Sequence, residues 1–585
     1  MMSDNNAGPS KRSITNQTWQ FPQIDQTILS QLQCETGASE LVAGILCSRG
    51  ICTAKEAADF LNPQFVSLMP DPSSLHDVDK AIGRIIEAME RNESICIWGD
   101  YDVDGTVSVS LFLRFFKAIG YGNVSFYIPD RLNEGYGLNS QGIKKLSSGS
   151  LLISVDCGTS NVEEIKLAHS LNIDTIIIDH HEVGALPESL AFINPHKPDQ
   201  SDQDLKELCA AGLVFLFLIA LSRELRARDF YKSIKEPDVR EYLGMVSLAT
   251  VCDVMRLVKL NRAYVFHGLK RLCRRSDKHI ERLAEAAGLS SIENAGHLGF
   301  ILGPRINAAG RVGDDSSMAV AFFACNNDDE MQSLADKLNQ TNIRRKEIET
   351  DNLKQAEAAV SLNKPYLLAA CENLHPGVIG IVASRLKEKH NKPAFVIGLD
   401  KDVCRGSVRS VEGFDVGAFI QSAVNAGVLA NGGGHKMAAG FSIMACNLSK
   451  FESMLDDAFR TFEPPTPTAH VDGILALSAL NAMLFSDIAK LEPFGIGNPA
   501  PRFMFPRLAA LRIEVLKEKH IRCILADETG KTVLGYLFNG VGAALGKEIL
   551  NLNPGRRIDV LGTVRSDLWQ GKKQIKILIE DFADA

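Results

Sequence analysis

Ile95-Cys96-Ile97-Trp98-Gly99-Asp100-Tyr101-Asp102-Val103-Asp104-Gly105 decides how the chain folds. Four apolar residues run into three acids spaced two apart, with Gly99 and Gly105 on either side. From Thr106 onward, Val107, Leu111 and Phe115 recur at helical spacing. The pattern predicts a buried strand, a tight acidic loop and a helix. Three carboxylates in one loop repel one another and lose solvation, and an oxygen-binding cation is the simplest compensation. Taken alone, an exposed turn with helix-capping aspartates explains the loop equally well.

The residues downstream shift that balance. Residues 124–128 read as a second strand. Residues 151–155 read as a third, running straight into Asp156-Cys157-Gly158, and 175–178 as a fourth, running into Asp179-His180-His181. Helical patterns lie between, as at 161–171, so a parallel sheet with helical crossovers is expected. Open parallel sheets bind ligands at the carboxyl ends of their strands. Asp100, Asp102, Asp104, Asp156, Asp179, His180 and His181 are therefore expected to converge on one metal site. Asp253, after the apolar run 248–252, fits a further ligand or the end of a helix equally well. Carboxylates mixed with imidazole suit Mn²⁺, then Mg²⁺, and suit Zn²⁺ less without thiolates. A bridging acid would hold two ions about 3.5–4 Å apart, the geometry for activating water in phosphoester hydrolysis.

Glycines beside basic residues recur further on: Gly303-Pro304-Arg305 through Gly310-Arg311, Arg405-Gly406-Ser407-Val408-Arg409, and Gly432-Gly433-Gly434-His435-Lys436. Bare amides with charge-assisted donors suit an oxyanion, although one such run is also what a flexible turn looks like. Residues 328–361 are polar without Gly or Pro, and one helix there would be roughly 50 Å long. It is read as a connector to a second α/β lobe that begins at Tyr366. Residues 462–468 read as a linker, and the short alternating runs beyond it as a small β-barrel. Arg556, Arg557, Arg565, Lys572, Lys573 and Lys576, with Trp569 among them, fit single-strand binding or a solvated basic edge.

The chain of 585 residues is too long for one core. Its 45% hydrophobic and 23% charged content is ordinary for globular protein. The net charge of −8 does not advertise a nucleic-acid binder, but a whole-chain sum hides a local basic groove. The 13 cysteines form no CxxC and fit reduced thiols in cytosol. No signal peptide is visible, and residues 1 to about 16 are expected to be an unstructured tail. The longest apolar run, 210–221, is too short to span a bilayer and is read as a core helix. Thr53 through Glu56 looks like a capping box.

Together these motifs resemble the RecJ family of single-strand-specific 5′-to-3′ exonucleases, in the DHH phosphoesterase superfamily. The resemblance rests on GDYDVDG at 99–105, SVDCG at 154–158, IDHH at 178–181, GPRINAAGR at 303–311, HPGVIGIVASRL at 375–386, GSVRS at 406–410, GGGHKMAAGF at 432–441 and PFGIGNPAPRF at 493–503, in family order. It implies a DHH catalytic domain with a parallel sheet, a DHH-associated second α/β lobe, a long helix joining them and a C-terminal OB-fold barrel. The expected boundaries are a helical segment at 1–74, the catalytic domain at 75–327, the connecting helix at 328–361, the substrate-binding lobe at 362–462 and the barrel at 468–585.

The resemblance further implies that Asp102, Asp104, Asp156, His180 and Asp253 hold two divalent ions, Mn²⁺ or Mg²⁺, with Asp156 bridging. Asp100 and Asp179 sit close to the ions, and His181 at the scissile phosphate. Arg131, Arg305, Arg311, Ser407, Arg409 and His435 match positions around the DNA backbone or its 5′ phosphate. A cytoplasmic monomer acting on single-stranded DNA is implied, with a single-strand-binding protein and a RecQ-type helicase as partners and no membrane. Two other readings belong to the same superfamily. A small-substrate phosphodiesterase would lack the basic barrel. A non-enzymatic replication factor would lack most of the acids.

Overall fold

A computed structural model describes residues 11–585 except 132, 199, 201, 314, 554, 570 and 571, and no side chains at 567–573. The chain divides into two units. One holds residues 64–463 and 495–498; the other holds 11–63, 464–494 and 499–585.

The first unit contains two α/β lobes. In the catalytic lobe, the strands Val124–Tyr127, Ile95–Gly99, Leu151–Val155, Asp174–Ile178 and Ala191–Ile193 lie side by side in that order, all parallel. Ile95–Gly99 and Leu151–Val155 are buried along their whole length, as expected for central strands covered on both faces. The helix Val103–Ala118 packs one face with Phe112, Phe115 and Phe116. The run read as a core helix is one: Ala210–Ala227 buries thirteen of its residues. The run before Asp253 is also helical, Leu243–Cys252, and Asp253 is its C-cap. Asp253 therefore ends a helix, and its carboxylate still reaches the site described below.

Asp328–Ala359 is a single helix of 32 residues. It is more than a spacer. Met331, Ala335 and Leu338 are buried, and further along so are Asn342, Arg345 and Asn352. The second lobe is a mixed sheet ordered Asn431–His435, Ala438–Met444, Val403–Arg409, Ala394–Leu399, Leu367–Glu372. Only the last two strands run parallel to each other. An aromatic core of Tyr366, Phe395, Phe419, Phe441, Phe451 and Phe459 supports it.

The second unit is built on a closed five-stranded barrel. Arg502–Leu516, His520–Ala526, Thr532–Leu537, Lys572–Asp584 and Arg557–Trp569 pair in sequence, and the last pairs back with the first. The helices Gln26–Thr36, Glu40–Ser48 and Ala54–Leu61 share its hydrophobic core through Leu29, Leu32, Ile45 and Phe60. Thr53 and Glu56 form the expected capping box. The expectation of an unstructured tail to about residue 16 is corrected in part. Residues 1–10 lie outside the described residues, but Lys11–Arg12 pairs with Thr18–Gln20, which pairs with Thr468–His470. The reason is Trp19, which is fully buried and donates its indole N–H to Asp581 at 3.2 Å. All thirteen cysteines are free thiols. Among the described residues no helix is long and apolar enough to cross a membrane.

Candidate metal centre and anion cleft

The acidic loop turns tightly because it has glycine where nothing larger fits. A Cβ on Gly105 would lie 2.5 Å from the carbonyl oxygen of Asp100, and one on Gly99 would strike Val109 at 2.4 Å. The chain can therefore pass from strand to helix within three residues and present Asp100, Asp102 and Asp104 at the strand's end. Asp102 caps the helix, accepting from the amides of Asp104 at 2.9 Å and Gly105 at 3.1 Å through Oδ1. The capping role weighed against a metal role is thus real, but it occupies one oxygen of one acid.

Asp104 is buried, and its two oxygens accept from the amides of Ala210 at 2.7 Å and Ala211 at 2.9 Å. Those amides open the helix Ala210–Ala227, whose positive end favours a carboxylate. Asp156 follows its strand with φ +59, a left-handed conformation that aspartate tolerates better than most residues. Asp179 is held on both oxygens: Oδ2 accepts from the Thr159 amide at 3.1 Å, Oδ1 from the His180 amide at 2.8 Å and His181 Nδ1 at 2.7 Å. Fully occupied in this way, it orients His181.

His180 stands at the middle of the cluster. Its Nε2 lies 3.3 Å from Asp156, 3.5 Å from Asp253 and 3.8 Å from Asp104. Ligand atoms of Asp104, His180 and Asp253 fall within 4.8 Å of one another, as do those of Asp156, His180 and His181. Like charges at that separation repel by about 3–4 kcal/mol each at an effective dielectric near 20, more than one net hydrogen bond returns. The titration behaviour follows. Burial and then the charge of Asp102 push Asp100 up to about 8 and Asp104 up to about 7. Burial and then Asp104 push Asp253 up to about 9. Asp156 is driven well above the carboxylate range by burial and by its acidic neighbours. Burial, then His181, lowers His180 to about 4, so its ring is neutral and free to act as a ligand.

Oδ1 of Asp100 and Oδ2 of Asp253 are buried and accept no hydrogen bond among the described residues. Orphaned carboxylate oxygens around a neutral imidazole are the donor set of a hard or borderline divalent cation. The residues present therefore fit such an ion.

The sequence reading missed Tyr136. Its hydroxyl donates to the carbonyl of Asp156 at 2.7 Å and lies 3.2 Å from His181 Nδ1, with the two rings edge to face at 5.7 Å. The available signal was an aromatic residue between Gly135 and Gly137, both in the left-handed region. Asn194 was missed as well; it donates to the carbonyl of His181 at 2.9 Å and to Thr159.

In the same unit lies a cleft of about 540 Å³ lined by Arg131, Arg311, Ser407, Arg409 and the glycines 377, 380, 406, 432 and 433, with no acid among its lining residues. Glycine is required here too: a Cβ on Gly377 would sit 1.7 Å from the carbonyl oxygen of Arg311. Arg409 donates to Ser407 Oγ at 3.2 Å and to the Val408 carbonyl at 2.9 Å. Burial, then Arg131, lowers the basicity of both Arg311 and Arg409, Arg311 to about 10. Cations crowded without acids favour an anion. Arg131 joins cleft to cluster, because its guanidinium stacks on the ring of Tyr101 at 4.7 Å, between Asp100 and Asp102.

Arg305 and His435 are not brought to this cleft. Arg305 donates to Asn339 at 3.0 Å and to the Ile301 carbonyl, beneath the long helix. His435 ends an exposed edge strand. In the barrel unit, Arg556 pairs with Asp584, and Arg557 donates to the carbonyls of Arg507 and Ala526. The side chains of Trp569, Lys572 and Lys573 lie outside the described part. A different patch stands out on the barrel: Tyr536 and Phe538 stack at 6.1 Å, His520 meets Phe538 at 5.3 Å, and Lys576 lies over Tyr536 at 5.2 Å.

Comparison with known proteins places these features. Residues 94–250 match the DHH family N-terminal domain, 363–463 the DHHA1 domain and 471–581 the RecJ OB domain. A single-stranded-DNA-specific exonuclease RecJ of Bacillus subtilis is 31% identical, over 97% of this chain and 70% of its own. That of Salmonella typhimurium is 30% identical, over 93% and 95%. The crystal structure of RecJ from Thermus thermophilus in complex with Mn²⁺ superposes with a TM-score of 0.80 at 26% identity, over 97% of this chain and 79% of its own. A second crystal structure of that protein is a complex with Mg²⁺. The chain belongs to the RecJ family.

Proposed function

We propose that the chain is a metal-dependent exonuclease that shortens single-stranded DNA from its 5′ end, releasing nucleoside 5′-monophosphates, in recombination and repair. One observation carries the reading: an acid–histidine cluster with orphaned oxygens and an acid-free arginine cleft occur in one unit, joined through Arg131 and Tyr101. A nuclease that starts from an end needs both parts, one to hold the terminal phosphate and one to cut the next phosphodiester.

Asp102, Asp104, Asp156, His180 and Asp253 would hold Mn²⁺ or Mg²⁺, the ions named for the Thermus thermophilus structures. When bound, the metal lowers the pKa of water and stabilises the leaving oxygen. The protein's own groups do the rest. Asp179 fixes His181 through Nδ1 and, against the effect of burial, raises its pKa. That pairing favours the protonated ring, whose Nε2 proton would then be offered to a phosphoryl oxygen. Arg131, Arg311, Ser407 and Arg409 take the 5′ phosphate by charge-assisted hydrogen bonds. The bond broken is that to the 3′ oxygen of the first nucleotide. The barrel's Tyr536, Phe538 and Lys576 hold the strand by stacking and charge, without reading its bases. A single-strand-binding protein and a RecQ-type helicase are the partners expected from the family.

The test uses single-stranded DNA labelled at one end, with Mn²⁺ or with chelator, beside blunt duplex. Metal-dependent release of mononucleotides from 5′-phosphorylated strands, with duplex spared, is expected. Binding without cleavage, or cleavage of dinucleotides alone, would overturn the proposal.

A further inference from the structure

The stretch Gly495-Ile496-Gly497-Asn498 takes no part in the chemistry above, yet it packs against the turn that follows Asp253. Gly495 and Asn498 close a tight turn on themselves, with amide–carbonyl hydrogen bonds of 2.9 and 3.1 Å. Between them the carbonyl of Ile496 accepts from the amide of Leu257 at 2.7 Å. The fit is close. A Cβ on Gly495 would lie 2.7 Å from Cδ1 of Leu257, and one on Gly497, whose φ is +75, would lie 3.2 Å from Cβ of Arg256.

The turn so gripped is strained. Val254 has φ +61 and Lys259 φ +45. A β-branched residue in the left-handed region persists only where its surroundings hold it there. The Val254 conformation ends the helix Leu243–Cys252, with the amides of Val254 and Met255 returned to the carbonyls of Val251 and Thr250 at 3.2 Å each. Asp253 is the C-cap of that helix, so the direction of its side chain depends on this ending. From the other side, Asn261 donates to the carbonyl of Arg256 at 3.1 Å.

We infer that the 495–498 turn is a positioning clamp: it holds the strained turn 254–258 and thereby keeps the Asp253 carboxylate aimed at the metal centre. The inference rests on the proposed role of Asp253 as a metal ligand. The clamp acts on metal affinity and touches no substrate.

The experiment measures Mn²⁺ binding by calorimetry, and kcat and KM on single-stranded DNA, in the full chain and in Gly495→Val and Asp253→Asn. Gly495→Val drives a side chain into Leu257 without demanding a new backbone conformation. It should weaken Mn²⁺ about tenfold and lower kcat at limiting Mn²⁺, while excess Mn²⁺ restores kcat and KM for DNA stays unchanged. A role confined to stability would lower Tm and leave Mn²⁺ affinity intact, which overturns the clamp. Should Gly495→Val fail to fold, Gly497→Ala is the milder variant, judged by the same readings. If Asp253→Asn weakens Mn²⁺ and the clamp variant does not, only the clamp falls. If Asp253→Asn binds Mn²⁺ as the parent does, the ligand role falls and the clamp with it.

Discussion

The acid cluster and the arginine cleft are both crowds of like charge, held by opposite means. Most of the acids sit at strand ends of a parallel sheet and Asp253 at a helix end, and backbone amides aim two of them: Ala210 and Ala211 at Asp104, Thr159 at Asp179. The arginines come from both lobes, Arg409 from a strand of the mostly antiparallel sheet and Arg131 and Arg311 from the catalytic lobe, around glycines that leave the backbone bare. In the first, the side chains are rigid and the missing partner is a small cation. In the second, the cations are long side chains and the proposed partner is a large anion. A like-charged cluster persists in a folded protein when a counter-charge is part of its working state. Under the proposed function, one ligand would bring a phosphate to each of these two clusters, which are joined through the stacked Arg131.

The comparison breaks most visibly at the acids. Asp156→Ala should cost at least about 10³-fold in turnover, the upper range for losing one element of transition-state charge stabilisation, while far-ultraviolet circular dichroism stays unchanged. Near-normal turnover in the folded variant would show that Asp156 holds no essential ion. At the arginines the loss should fall on binding. Arg409→Ala should raise KM for 5′-phosphorylated strands by roughly 10–150-fold, the worth of about 1.5–3 kcal/mol for a charged hydrogen bond, and should change KM for 5′-hydroxyl strands little. An equal effect on both ends would move the cleft away from the terminal phosphate.

A thermal measurement sharpens the contrast. Asp104, Asp100 and Asp253 titrate near 7, 8 and 9 in the metal-free protein, above the ordinary carboxylate range. The folded chain therefore keeps protons that the unfolded chain has lost. Stability from these groups is full below about pH 4 and is lost as pH rises through 7 to 9. The Tm of chelated protein should fall across that window, and the rise on adding Mn²⁺ should grow with pH, since the cation replaces those protons. At 100 times its Kd the ion should add about 2.7 kcal/mol. A pH-independent increment would mean that the acids are not the ligands. The smallest effect is expected on the barrel, where Lys576→Ala should reduce the salt dependence of single-strand binding by about 0.7 in the logarithmic slope, one phosphate's share.

Much of this was legible before folding. A buried run ending in Asp or His is a local signal, and the sheet rule that ligands bind at carboxyl strand ends turns three such runs into one site. Asp104, Asp156 and His180 do lie together as that rule predicts. Other residues could not be read that way. Arg305 and Arg311 lie six apart in one basic motif, yet one is tied beneath the long helix at Asn339 and the other lines the cleft. Tyr136 reaches Asp156 and His181 from a loop whose direction its own residues do not set.

The sequence by itself therefore determined the order of elements, the sheet type and the chemical character of each motif, because hydrophobic period and residue type are properties of neighbours along the chain. Only the tertiary structure decided which arginines share the cleft, that Asp253 caps a helix and the turn after it meets Ile496 at Leu257, and that Trp19 buries itself against Asp581. Those outcomes depend on partners hundreds of residues away, and the direction of a side chain is set by what packs around it.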